Sequence, residues 1–176
     1  MRPDRRIAPI TVLTPVSRLW SWWLRLSWPL ADRSAFVKRP LLGFSFIHVA
    51  HWALAERPDG PCVLFQSNFD GPADDYAETF ALQVPWRIRG MWQGGRGFPG
   101  PRPANDFVRY VLDHAAEADA PHHYYAAYPT ATARTVRAAL ALRVAFEDLE
   151  RSAAGLRADE LAVAWQRFLT REQRHL

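Results

Sequence analysis

Two near-continuous apolar runs, FSFIHVAHWAL at residues 44–54 and CVLFQSNF at 62–69, are separated by RPDGP, and no other feature restricts the fold as much. Proline, aspartate and glycine together mark a turn, since each favours backbone angles that extended chain does not adopt. The two runs are therefore expected to pair as a β-hairpin. Its apolar faces need cover, and the flanking sequence supplies amphipathic segments to provide it.

Upstream, Thr14-Pro15 reads as an N-cap and first-turn proline for a helix over VSRLWSWWLRLSW, residues 16–28, ended by Pro29. Helical spacing puts Arg18, Ser21 and Arg25 on a narrow polar face, with Val16, Leu19, Trp20, Trp23 and Leu24 opposite. Such a helix needs an apolar surface to lie against, whether its own domain, a second subunit or lipid. Downstream, Gly71-Pro72 opens a helix over ADDYAETFAL with Asp74 and Asp75 in its first turn, where the helix dipole favours carboxylates. WRIRGMW, residues 86–92, reads as a third strand, and HHYYAAYP, residues 122–129, as a fourth stopped by Pro129. Between them GGRGFPGPRP is the longest loop, a candidate lid, followed by a helix over NDFVRYVLDHA capped by Asn105. TVRAALALRVAFEDLE forms a further helix ended by Gly155, and Leu161, Trp165, Phe168 and Leu169 mark the last one.

This order predicts an α+β fold: a ferredoxin-like or permuted ferredoxin-like sheet covered by helices, with an N-terminal amphipathic helix and two C-terminal helices. A sheet with few strands and aromatic residues on both faces leaves one apolar side to bury, which a face-to-face homodimer would cover.

Charge divides the chain at about residue 42. Residues 1–42 hold Arg2, Arg5, Arg6, Arg18, Arg25, Arg33, Lys38 and Arg39 against Asp4 and Asp32, a net +6, while the whole chain carries +4. The expected organisation is thus a basic, Trp-rich arm over residues 1–42 and a single α+β domain over 43–176. A basic arm on a mildly acidic body argues against nucleic-acid binding and for an anionic partner, including peripheral contact with a membrane through residues 14–28. The lone cysteine, Cys62, permits no internal disulfide. With no secretory leader pattern, the expected compartment is the cytoplasm.

FIHVAHW (46–52), SNFDG (67–71) and YAAYPTATARTVRAALALR (125–143) together resemble a family of small bacterial proteins with FIHFARW, SNFDG and YSAYP motifs. That family is similar to dimeric α+β-barrel proteins, a superfamily that includes small monooxygenases and the halves of dye-decolourising peroxidases. The resemblance implies a fold more than an activity. One departure is visible: His51 stands where the family pattern has arginine, so a permanent cation is lost there.

Strand alternation groups His48 with Phe44, Phe46 and Trp52, and sets His51 with Ile47 and Val49 on the other face. His48 is the stronger candidate for chemistry, as haem ligand, general base or proton shuttle. Asp70 either caps the following helix or orients that histidine. With Tyr125 these form the expected catalytic set. Asn68, Trp52, Tyr128, Arg87 and Arg89 are the expected ligand-binding residues, the two arginines sharing one face of the third strand. No HExxH, GxSxG or phosphate-loop pattern occurs. The expected function is binding of a small apolar or aromatic ligand, haem among the candidates, with oxidoreductase chemistry on it. The alternative is a non-catalytic protein docked through its basic arm.

Overall fold

A computed structural model describes residues 7–34, 43–116 and 123–173. In chain order its elements are β1 (Ile7–Pro15), α1 (Arg18–Arg33), β2 (Ile47–Arg57), β3 (Gly60–Asp70), α2 (Ala73–Gln83), α3 (Pro85–Trp92), α4 (Ala104–Asp113), α5 (Ala133–Ala153) and α6 (Ala158–Glu172). Among the described residues the fold is α+β, with one three-stranded antiparallel sheet and six helices.

The expected hairpin is β2–β3, paired from Arg57 opposite Gly60 to Ile47 opposite Phe69. Gly60 leaves the turn at φ 123°, a conformation that a Cβ would strain. The sheet order is β1-β3-β2, so the central strand is β3. The strand β1 was not expected: residues 7–15 fall in the basic arm, yet they pair with β3 from Ile7 opposite Asp70 to Pro15 opposite Cys62. Pro9 lacks a donor for that ladder, and proline is tolerated in strands mainly at edges. On its other edge β1 meets an isolated bridge from Val12 to Ala115, with the Leu13 N–H donating to the His114 carbonyl at 3.2 Å.

Val63, Phe65 and Phe69 of β3 face the helices together with Ile10 and Val12 of β1, and all five are buried. Phe69 stacks on Tyr76 of α2 with ring centroids 4.0 Å apart, and Phe65 meets the edge of Trp92 of α3 at 5.4 Å. Phe80, Ile88, Phe107, Tyr110 and Val111 complete this aromatic core. Leu24 of α1 joins a smaller cluster with Val16 and Val63, against which Trp20, Trp28 and Trp52 pack.

Several local expectations are corrected. Residues 85–92 are the helix α3, not a strand; Pro85 occupies the first turn, where its missing N–H costs nothing. Pro29 does not end α1 but lies inside it, and the helix runs on to Arg33. Its cap is Ser17, whose hydroxyl accepts from the Trp20 N–H at 3.2 Å. Pro103, not Asn105, precedes α4. Residues 123–128 carry no strand. His122, at the start of that expected strand, lies outside the described residues, as do Arg2, Arg5, Arg6, Lys38 and Arg39 of the arm.

The chain divides into two compact units, Met1–Thr130 and Ala131–Leu176. The second is the helical pair α5–α6. Thr132 caps α5 by accepting from the Thr135 N–H, Gly155 turns the chain at φ 87°, and Phe146 packs against Trp165 and Phe168.

Candidate functional site

The first site is built by an irregularity in the sheet. Ile47 pairs with Phe69 and Val49 with Asn68, so His48 is an extra residue, a β-bulge in β2. A bulge re-aims the side chains around it. His48 accordingly does not share the face of Trp52; its Nε2 lies 2.9 Å from Asp70 Oδ1. With the carboxylate ionised, Nε2–H donates and Nδ1 is the remaining ring nitrogen. Both side chains are about a fifth exposed, at 19% and 18%. Asp70 alternates with the buried Phe69, which directs it away from the helices. It does not cap α2, whose N-cap is Pro72 without a side-chain bond. Backbone and side-chain contacts hold this corner: the Asp70 N–H donates to the Phe46 carbonyl at 2.8 Å, and Ser67 Oγ donates to the Val49 carbonyl at 2.9 Å.

Asn68, two residues before Asp70 on the same face, donates from Nδ2 to Tyr124 Oη at 2.8 Å. Tyr124 thus takes the place expected of Tyr125. Tyr125 and Tyr128 are 80% and 77% exposed, and neither joins the His48–Asp70 pair through a hydrogen bond. His51 faces Gln66 across the ladder and is exposed. Among the described residues no group of three His, Cys, Asp or Glu side chains is placed to hold a metal ion.

The second site lies on the helix side, where a cavity of about 210 Å³ opens between α1, the end of α2 and α3. Trp23, Trp28, Trp52, Trp86 and Trp92 line it, with Phe80, Ile88, Met91 and Gly90. Arg87 also borders it, with its guanidinium carbon 4.6 Å from the centroid of the Trp86 ring. Burial lowers the Arg87 pKa from its ordinary value, because desolvation disfavours the cation. Arg87 and Arg89 do not share a face as expected: on α3 the first is buried and the second exposed. Of the residues expected to bind ligand, Trp52 and Arg87 reach this cavity; His48, Asn68, Asp70 and Tyr125 do not line it.

The loop expected as a lid is stitched down. The Ser17 N–H donates to the Gly94 carbonyl and the Arg96 N–H to the Pro15 carbonyl, at 3.3 and 2.9 Å. Its glycines permit close packing: a Cβ on Gly94 would lie 2.0 Å from Trp20 Cγ. Trp20 in turn donates from Nε1 to the Met91 carbonyl at 3.3 Å, tying α1 to α3 beside the cavity.

Sequence reasoning missed the cavity because its walls come from three helices and β2, one of those helices read as a strand. The available signal was the tryptophan density of residues 20–28 and 86–92. No protein-family model, curated protein or solved structure matches this chain.

Proposed function

We propose that the chain binds a small, neutral, apolar molecule, an aromatic ring or short alkyl chain, in the tryptophan-walled cavity beneath α1. The observation that carries this reading is a cavity of about 210 Å³ whose described walls are mostly apolar, five tryptophans with phenylalanine, isoleucine and methionine, Ser27 and Arg87 being the polar residues among them. Apolar cavities of about 150 Å³ stay dry and accept benzene, while drug-sized ligands take roughly 300–1,000 Å³, so the ligand is of one or two rings. The driving force is apolar burial and ring stacking.

Haem fits this cavity poorly. Its described lining offers no histidine, cysteine or tyrosine as axial ligand, only the Met91 thioether, and about 210 Å³ falls below the range of roughly 300–1,000 Å³ that drug-sized ligands take. His48 stands outside the lining and is engaged by Asp70. The pair is therefore read as apart from the bound ligand, and the function as binding rather than oxidation of what is bound.

The sheet is read as the first three strands of a ferredoxin-like one. Its order β1-β3-β2, with α1 as the crossover between β1 and β2, supports that topology, and Ala115 bridges to the β1 edge where a fourth strand would pair.

Titration of intrinsic tryptophan fluorescence with toluene, paired with calorimetry, tests the binding reading. Saturable binding is expected in the parent and is lost in Gly90→Leu. A Cβ at Gly90 meets nothing within 4 Å, so leucine there fills the cavity without a clash at its root. Because glycine inside a helix costs about 0.5–1 kcal/mol relative to alanine, the variant is also expected to gain in Tm. A parent protein whose fluorescence and heat show no saturation would end the proposal.

A further inference from the structure

α1 departs from the amphipathicity its sequence suggests at Ser21, Leu19 and Trp23, while Leu24 and Trp20 face inward and Arg18 and Arg25 outward as expected. Its inner face is narrow and mixed: Leu24 and Ser21 are buried, with Trp20, Trp28 and Ala31 partly so. Ser21, expected among the polar outer residues, faces inward and donates to the Arg18 carbonyl at 2.9 Å. Leu19, expected inside, is 84% exposed, and Trp22, Leu26 and Leu30 are 65%, 59% and 68% exposed. At the α-helical repeat these four and Trp23 fall within an arc of about 100°. Arg18 and Arg25 border the arc on one side, Arg25 held at 2.5 Å from Glu56. The apolar strip continues beyond the helix, because Trp23 meets the cavity mouth together with the half-exposed Trp86 of α3.

We propose that this outer face of α1 docks on the surface of an anionic lipid bilayer, lying in the interface plane. Tryptophan suits that depth, since its ring is apolar and its N–H stays wet. Arginine stems reach along apolar surface while their guanidinium groups meet headgroup phosphates. Charge decides between lipid and a second copy of the chain. α1, which presents the strip, carries Arg18, Arg25 and Arg33 against Asp32, a net +2, which attracts an anionic surface. A two-fold contact through the same face would bring those like charges together. Docking is peripheral, as no described helix is long and apolar enough to cross a membrane. It does not depend on the cavity being occupied.

The test is co-sedimentation of the full chain with phosphatidylcholine vesicles, with and without about one-third phosphatidylglycerol, at salt of about 0.1 and about 0.5 M. Binding is expected to the anionic vesicles, weaker at high salt, with a blue shift of tryptophan emission. The double variant Trp22→Glu/Leu26→Glu is expected to lose more than about tenfold in partitioning while keeping the parent's circular dichroism and Tm, as both side chains face solvent. Arg18→Glu lowers binding without touching the apolar strip. Absence of binding to either vesicle overturns the proposal. So does dimerisation in sedimentation equilibrium that the double variant abolishes, which assigns the face to a second copy.

Discussion

On the helix side of the sheet, Phe65 and Phe69 sit among rings of α2, α3 and α4, whereas the opposite side of the same strand presents Gln66, Asn68 and Asp70, two of them in polar pairs. The helix side is continuous: its rings are linked one to the next from Phe44 and Phe80 through Tyr76 to Phe69, and from Phe65 through Trp92 to Phe107 and Phe98, so removing one affects its neighbours. The other side carries discrete polar contacts. His48 answers to Asp70 and Asn68 to Tyr124, at 2.9 and 2.8 Å. One strand thus separates a face that supplies stability from a face whose contacts are local and polar. The bulge at His48 belongs to the second face, and Ile47 still pairs with Phe69 beside it.

The largest expected effect comes from breaking the continuous side. Phe69 is fully buried and stacked on Tyr76. Phe69→Ala is expected to cost about 3–5 kcal/mol, read by urea denaturation, because neighbouring rings cannot collapse into the space. A loss no larger than that of a surface change would mean the two faces do not differ as argued. The reverse perturbation is overpacking. Gly94→Ala drives a Cβ into the Trp20 ring, and a loss of about 1–3 kcal/mol with weakened Trp20 packing is expected.

The contrast also explains what was legible in the sequence. The hairpin β2–β3 and the helices α2, α4, α5 and α6 follow from apolar spacing and from punctuation by Gly, Pro and Asp, which are local signals. β1 was hidden because two prolines and neighbouring arginines make residues 1–15 read as an arm, although its pairing with β3 is long-range. α3 was misread because Trp86, Ile88 and the arginines alternate; Pro85 carried the helical signal. At the site, the residues His48, Asp70 and Asn68 were legible as candidates but their faces were not. Alternation counts residues in steps of two, and a one-residue bulge resets the count. At residues 123–128 there is no regular strand to count along, and it is Tyr124 that meets Asn68.

Alkaline pH sharpens the comparison without introducing a cavity. Burial pushes Tyr76 far above its ordinary value of 10.0, the Ser67 hydroxyl opposing in part, and raises Tyr110 likewise against Thr14. Both groups retain their protons in the folded chain at pH values where the unfolded chain has lost them. The folded state then binds more protons, so stability falls as pH rises past about 10 and is unaffected at neutral pH. Tyr76→Phe is expected to flatten that alkaline limb while shifting Tm at neutral pH only slightly. An unchanged limb would place the burden on other groups.

The smallest effect is expected on the polar face, and a double-mutant cycle isolates it. His48→Ala and Asp70→Ala each remove the 2.9 Å contact. For a hydrogen-bonded pair that water partly reaches, the coupling is expected at about 0.5–1.5 kcal/mol. The bulge itself is held by backbone pairing and by Ser67 Oγ on the Val49 carbonyl. Amide exchange at Ala50 and Ser67 should therefore be preserved in both variants. Exchange that accelerates across β2 and β3 would show instead that the pair props up the sheet, and the division between a structural face and a locally polar one would have to be withdrawn.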